Sequence, residues 1–483
     1  MRHVSPAARG PVVFFHPDLG IGGAERLVVD AAVGLQSLGH EVVIYTSHCD
    51  PAHCFEECRD GTLDVRVHGD WLPMSVLNRL TIVCAIARHL YLLLRVHLSG
   101  ELARLRPRAF CVDQLSAGLP LLRLLAPDTP ILFYCHFPDL LLVQGRASPL
   151  KRLYRVPFDR LEQWSMTFAH AVAVNSDFTR GVVRATWPRL GDAVDTKVVY
   201  PCVDTSDDKS DTENADKPDD DDDDDAAALR ALFGDDRLLL SINRFERKKD
   251  IGLAIRAFAA IPEPQRRAVR LVLAGGYDPR VAENVHYHRD LQDLAASLAL
   301  AHTTLTPSDL AETKSSPHSP HSPSSSSPAV IFLLSVPGPL KAALLRRAAM
   351  LLYTPPNEHF GIVPLEAMLA RTPVLACASG GPVETIRDGA TGWLRDPDDV
   401  ASWTRVVSGA LAMAPGDLAR MGDDGAQRVR DLFGRDKMAL RLDGIVEDLA
   451  REARASPGPR LPVGALLALA VAVLMYCTVP LLR

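Results

Sequence analysis

Residues 350–368 read MLLYTPPNEHFGIVPLEAM. MLLYTP is a short apolar run that ends in turn residues, the pattern of a buried strand. Pro364 suits the first turn of a helix, where its missing N–H has no bond to make, so PLEAMLAR predicts a helix. Strand, loop and helix in succession form one βα unit, and such units build a parallel sheet. The same alternation recurs along the chain. PVVFFH (11–16) predicts a strand, PDLGIGG a loop, and a helix starts near Ala24. HEVVIYTS (40–47), ILFYCHFPD (131–139) and AVAVNS (171–176) predict further strands. A second series follows in RLLLSINRF (237–245), VRLVLAGGY (269–277), AVIFLLS (329–335) and PVLACAS (373–379). The fold class is therefore α/β. In such sheets ligands sit where loops leave the carboxyl ends of strands.

The chain has 483 residues, 47% of them hydrophobic, enough for two domains with cores of their own. Its formal charge is −6. Residues 204–225 hold 13 acidic and 2 basic side chains, and without that net −11 the remainder carries +5. A mild positive excess suits an anionic ligand or membrane surface, or is ordinary surface charge. Asp219–Asp225 are seven aspartates in a row; such a run predicts a solvated, disordered linker. It is a poor metal site, because nothing fixes its geometry. Residues 303–328 are a second low-complexity insert, rich in Ser, Pro and His. His318 and His321 within it carry no metal expectation.

Nine cysteines, with Cys49, Cys54 and Cys58 clustered and no second pair to complete a zinc site, read as reduced structural thiols. No N-x-S/T sequon occurs, in keeping with a cytosol-facing protein. The N-terminal ten residues lack the apolar core of a signal peptide. Residues 461–482 carry no charge; as a helix they would span about 33 Å, enough for a bilayer core. Arg451, Arg454 and Arg460 precede them and Arg483 follows. The positive-inside bias then leaves the folded part in the cytosol. The alternative is a buried terminal helix. LTIVCAIARHLYLLLRVHL (80–98) either covers the core or leans on a membrane.

The domain organisation expected is an N-terminal Rossmann-like domain over 11–200 and an acidic disordered linker over 201–236. A C-terminal Rossmann-like domain follows over 237–440, carrying the insert 303–328. A terminal helix over 441–460 and a transmembrane anchor over 461–482 complete the chain.

Chemistry-bearing residues cluster after the predicted strands. Phe360, Gly361, Ile362 and Val363 form the loop entering the helix, whose free N–H groups and positive dipole end make an anion seat. Glu358 lies before that loop, at the strand's end. Glu366 can reach a ribose diol, or is a charge partner of the helix N-terminus. Gly361 admits a ligand close to the backbone. Arg244 and Lys249, four residues between them, follow another strand; they neutralise a diphosphate and stabilise its departure, or belong to a solvated turn. Gly20, Gly22 and Gly23 form an imperfect dinucleotide turn, because Glu25 stands where G-x-G-x-x-G has its last glycine. Hydride chemistry is thus weakly supported, but a phosphate or sugar can approach there. His136 directly follows ILFYC; it is either structural or part of the crevice.

Glu358 and Glu366 match the E-x7-E signature, and Arg244 and Lys249 the R-x4-K, of family 4 retaining glycosyltransferases. HPDLGIGGAERLVVDAA, YCHFPDLLL, KRLYRVPFD, LLLSINRFERKKD, LAGGYDPRVAENV and YTPPNEHFGIVPLEAM together resemble the α-1,3/α-1,6-mannosyltransferases of the dolichol pathway. The resemblance covers about residues 11–200 and 237–440. It implies a GT-B fold, two Rossmann-like domains facing a central crevice, with a C-terminal membrane helix. It implies transfer of mannose from GDP-mannose to Man1GlcNAc2-diphosphodolichol, first α-1,3 and then α-1,6. In these terms Arg244 and Lys249 hold the donor diphosphate. Glu358 lies by the donor sugar in a catalytic role, and Glu366 binds the nucleoside. His136 lies by the donor sugar or acceptor, and Gly22 and Gly23 line the acceptor–diphosphate region. No cofactor and no metal are expected. The implied partners are the two substrates, the endoplasmic reticulum membrane from its cytosolic face and other early mannosyltransferases, with no nucleic acid. The alternatives are a family 4 transferase using a UDP-sugar, and a membrane-tethered scaffold without catalysis.

Overall fold

The computed structural model describes residues 10–76, 80–142, 149–205, 220–306, 309 and 328–455. The chain divides into two units, one running to Cys202 and resuming at Arg435, the other spanning Val203–Gly434.

The first unit is built on β1 (Val12–Leu19), α1 (Gly23–Ser37), β2 (Val42–Cys49), β3 (Asp64–Val67), α2 (Thr81–Leu98), β4 (Ala109–Asp113), β5 (Ile131–Cys135), β6 (Ala171–Val174) and β7 (Asp195–Val198). All seven strands are parallel, in the order β3-β2-β1-β4-β5-β6-β7. The chain runs outward from β1 to β3, then returns to lay β4 on the other side of β1. The topological switch point is therefore between β1 and β4. Both sheet faces are covered, so the strands are apolar on both sides. Val12 and Phe14 face one core with Ala109, Cys111, Leu132 and Tyr134. Val13 and Phe15 face the other with Phe110, Val112, Ile131 and Phe133.

α2 covers the second face through Leu92, Leu93 and Val96. Among the described residues it is the one helix long and apolar enough to cross a bilayer. Its core contacts give the sheet-covering reading of residues 80–98, while Leu98 is 79% exposed on its far side.

The second unit holds α3 (Asp220–Phe233), β8 (Arg237–Ile242), α4 (Ile251–Ala259), β9 (Val269–Gly275), α5 (Ala282–Ser297), β10 (His302–Leu305), β11 (Val330–Leu334), α6 (Gly338–Arg347), β12 (Ala348–Tyr353), α7 (Ile362–Leu369), β13 (Val374–Cys377) and β14 (Gly392–Arg395). α8 (Val400–Ala412) and α9 (Pro415–Leu432) complete it. Its strands are again all parallel, ordered β10-β11-β9-β8-β12-β13-β14. Here the switch point lies between β8 and β12. Phe258, Trp403 and Phe332 are fully buried in its core.

Three expectations are corrected. The aspartate run is helical from Asp220. Ala228, Leu229 and Phe233 anchor its C-terminal end in the core. The insert expected from residue 303 begins later, because His302–Leu305 pairs with β11; His318 and His321 lie outside the described residues. The final helix, α10 (Arg435–Ala455), starts before residue 441 and belongs to the first unit. Its Met438, Leu442, Ile445, Val446 and Leu449 join the core beneath α1. A Cβ on Gly34 of α1 would come 2.9 Å from that of Ala439, so glycine allows the two helices to touch. Arg435 Nε reaches the buried Asp30 at 3.1 Å, and His40 meets Asp443 at 2.8 Å. The expected anchor at 461–482 lies outside the described residues.

Because α10 completes the first unit's core, Leu442→Ala should cost that unit about 2–5 kcal/mol. Urea denaturation followed through buried Trp187 should show the loss, with the second unit's transition unmoved. A shift in the second transition alone would contradict the assignment of α10.

Candidate functional site

In the second unit the charged residues gather where β8 and β12 end. After β8 the chain turns through Arg244 into a single helical turn, Arg247–Lys249. The Thr354 hydroxyl, just past β12, donates to the Lys249 carbonyl at 2.8 Å, pinning that turn. The Lys249 ammonium donates to Glu358 Oε2. Both side chains are largely buried, at 13% and 19% exposure. Burial alone would raise the Glu358 carboxyl, but the charge and hydrogen bond of Lys249 hold it below the usual carboxylate range. Glu358 is thus an anion at neutral pH, able to support positive charge or act as a nucleophile, not to donate a proton. Lys249 keeps two further donors for a ligand. Arg244 is exposed and pairs with Glu246 at 3.2 Å; it does not join the buried pair.

The loop from Asn357 to Gly361 is held from below. The Gly381 N–H donates to the Glu358 carbonyl at 2.8 Å. A Cβ on Gly380 would stand 2.3 Å from that same oxygen, and one on Gly381 would stand 2.2 Å from the Phe360 carbonyl. The SGGP turn after β13, which nothing in the sequence pattern singled out, therefore needs both glycines for close approach. Gly361 has φ +88° and caps α7, so its conformation, more than ligand access, requires glycine. The Phe360 side chain is buried beside Phe433, ring centroids 5.9 Å apart; it leaves only the backbone for a ligand. α7 starts at Ile362, two residues ahead of Pro364. The N–H groups of Ile362 and Val363 belong to its open first turn.

Glu366 consequently falls in the second turn of α7, too far along to serve its N-terminus. Its partner is Lys341 of α6, Nζ to Oε1 at 2.6 Å. Tyr353, at the end of β12, is buried near both glutamates, and burial followed by the charge of Glu358 pushes its hydroxyl well up. Neither Lys341 nor Tyr353 stood out in the sequence. The asparagine of AENV acts structurally: buried Asn284 donates to the Phe245 carbonyl at 3.0 Å and accepts from the Asp278 N–H at 3.0 Å.

In the first unit a second polar cluster closes the sheet's α1 face. Alternation places His16 after Val12 and Phe14, Asp113 after Ala109 and Cys111, and His136 after Leu132 and Tyr134. His16 Nδ1 lies 2.7 Å from Asp113 Oδ1, and His136 Nε2 lies 3.1 Å from Asp113 Oδ2. His16 Nε2 faces the Asp18 carbonyl at 3.1 Å and Glu25 at 3.8 Å. Both ring nitrogens of His16 thus meet acceptors, so the ring carries two protons. Burial would lower its pKa, but Asp113, then Glu25, raise it to about 10. Burial would raise Asp113; the charge of His16 and the bonds from His136 and His16 bring it to about 2. His89 of α2 is buried beside them, and burial lowers it to about 4, keeping it neutral. His136 is partly exposed at 24%, and Asn175 donates to its carbonyl at 3.0 Å. Gly22 caps α1 in extended conformation, with Glu25 Oε2 against it. Gly23 is open: a Cβ there would meet nothing within 4 Å. His16 and Asp113 were not singled out in the sequence; a lone Asp ending the apolar AFCVD was the available signal.

All eight cysteines among the described residues are free thiols. Burial, then neighbouring Cys54, pushes Cys49 up to about 12, and Cys58 to about 11. They are inert in character. No group of three or more His, Cys, Asp or Glu among the described residues is arranged to hold a metal.

A family model described as Glycosyltransferase Family 4 matches residues 21–207. One described as Glycosyl transferases group 1 matches residues 326–428, the stretch bearing Lys341, Glu358 and Glu366. The chain is 54% identical over 453 residues to the α-1,3/1,6-mannosyltransferase alg-2 of Neurospora crassa, covering 92% of each chain. It is 44% identical over 445 residues to the α-1,3/1,6-mannosyltransferase ALG2 of Saccharomyces cerevisiae, covering 90% of this chain and 84% of the relative. Its fold is similar to that of sucrose-phosphate synthase from Thermosynechococcus elongatus, with a TM-score of 0.65 at 20% identity over 91% of this chain and 99% of that one. The two parallel-sheet units are those of the GT-B fold.

The pH dependence of the first unit follows from the raised His16. Its contribution is complete below about 6.5, the unfolded value, and is lost as pH rises toward about 10. Asp113→Asn should therefore cost about 3–5 kcal/mol at pH 6, with the gap to the wild type narrowing by pH 10. Urea midpoints at the two pH values measure this; a gap that widens with pH would exclude an ionised His16.

Proposed function

The chain belongs to the family of α-1,3/1,6-mannosyltransferases, and from that footing we propose that it takes mannose from GDP-mannose with retention of configuration. The acceptor is Man1GlcNAc2-diphosphodolichol. An α-1,3 and then an α-1,6 mannose give Man3GlcNAc2-diphosphodolichol, the precursor of asparagine-linked glycans. The reaction runs on the cytosolic face of the endoplasmic reticulum membrane, where other early mannosyltransferases are partners. The observation that carries this reading is the buried Lys249–Glu358 pair at the second unit's switch point.

Breaking the sugar–phosphate bond builds positive charge on the sugar and negative charge on the departing diphosphate. Lys249, with Arg244 on the exposed side, meets the diphosphate with fixed cations. The first N–H groups of α7 add the helix dipole. No metal is called for, since cations and dipole supply the charge. Glu358, ionised by Lys249, lies on the side of developing sugar charge, whether as nucleophile or as electrostatic support. Glu366 takes the nucleoside. In the first unit, His136 serves the donor sugar or acceptor, and open Gly23 with Gly22 gives the acceptor diphosphate access to the backbone.

The test is transfer from GDP-mannose to a Man1GlcNAc2-diphospholipid in liposomes, with products read by mass spectrometry and linkage-specific mannosidases. Two mannoses, one in each linkage, are expected. GDP, and not UDP, should raise the melting temperature; stabilisation by UDP alone would move the donor to a UDP-sugar. Lys249→Ala should lower kcat about 10²–10³-fold, and Glu358→Ala should abolish transfer. Lys249→Met with Glu358→Gln, which leaves no unpaired charge, should recover stability and not activity. A near-normal rate in either single variant would overturn its role.

A further inference from the structure

Resting on the donor-side reading above, we propose that Lys341 is a positioning residue for the donor's ribose. Its ammonium fixes Glu366 so that the carboxylate's other oxygen is offered to a vicinal diol.

Three observations meet here. Lys341 Nζ holds Glu366 Oε1 at 2.6 Å. Glu366 Oε2 is buried and has no hydrogen-bond partner among the described residues. Lys341 is the fourth residue of α6, near the end of a helix where a cation is opposed by the dipole. Helix stability therefore does not explain the lysine; the carboxylate on α7 does. An ionised oxygen removed from water and left without a donor is costly. A diol supplies the missing donors. A carboxylate has about four lone-pair positions, so one bond from Lys341 orients the group and leaves room for two ribose hydroxyls. Both partners are only partly exposed, at 33% and 27%, and they stand on separate elements flanking β12. The lysine thus sets the direction of the carboxylate, which α7 alone would leave to rotate. Lys249 and Glu358 form a separate pair, so Lys341 has no place in the chemical step.

The diagnostic is the ratio of affinities for GDP and 2′-deoxy-GDP, measured by calorimetry on the full chain in detergent. The wild type should favour GDP about 10-fold or more, as expected for a hydrogen bond to a charged group. Lys341→Met, nearly the same shape without the charge, should bring that ratio close to 1 and raise KM for GDP-mannose while kcat changes less than about two-fold. Lys341→Arg should keep most of the discrimination, and guards against a folding defect in the methionine variant. Equal weakening of both nucleotides in Lys341→Met would overturn the proposal, assigning the lysine to general attraction of phosphate. An unchanged ratio would overturn it as well. The donor reading fails separately: if UDP binds and GDP does not, the same comparison is made with UDP and 2′-deoxy-UDP. A wild type that binds neither refutes both.

Discussion

A charge withdrawn from water has to be met by another, and in this protein that requirement falls at the carboxyl ends of parallel strands. Each sheet is apolar on both faces, so polar groups are admitted only where the strands stop. At the switch points, between β1 and β4 and between β8 and β12, neighbouring strands send their loops in opposite directions. The side chains left there are semi-buried and close together. They are stable only as matched sets: histidine with aspartate in the first unit, lysine with glutamate in the second.

The two sets are matched differently, and the difference is chemical. In the second unit the partners are lysines with donors to spare, beside a helix start with open N–H groups. That end of the sheet has capacity for an anion. In the first unit one carboxylate is shared by two imidazoles. His16, sealed from solvent, consumes most of Asp113's charge. His136 is oriented by the remaining oxygen while its ring stays accessible. With Glu25 also facing His16, the fixed polar group carries one cation against two carboxylates and is suited to hydroxyls more than to phosphate.

The fold was legible because strand-length apolar runs alternating with helical stretches leave few arrangements, and the parallel α/β reading follows from them. Individual positions were legible where chain neighbours determine them: His136 directly follows a strand, Glu358 lies in the loop after one, and Lys249 follows a turn after one. Partners from distant elements were not. Nothing local to Lys341 announces Glu366, and His16 looked like the end of a strand because Asp113 is far along the chain. The terminal helix α10 was split between the second domain and a separate helix for the same reason. Its apolar stripe states that it packs, not upon what; the approach to Gly34 and the contacts with Asp30 and His40 decide that.

The spacing of Glu358 and Glu366 becomes intelligible once both lysines are included. One glutamate must reach the β8 side, where Lys249 waits, and the other the α6 side, where Lys341 waits. Between them the chain has to reverse from loop to helix within a few residues. Gly361, at φ +88°, performs that reversal, and a side chain there would press on the Tyr353 hydroxyl, 3.1 Å from where its Cβ would stand. The reversal is possible only over a rigid floor, which Tyr353 and the glycine pair 380–381 provide. The two carboxylates are then held by different cations, Glu358 by Lys249 and Glu366 by Lys341. The spacing is the length of chain needed to leave one cation, turn, and arrive at the other.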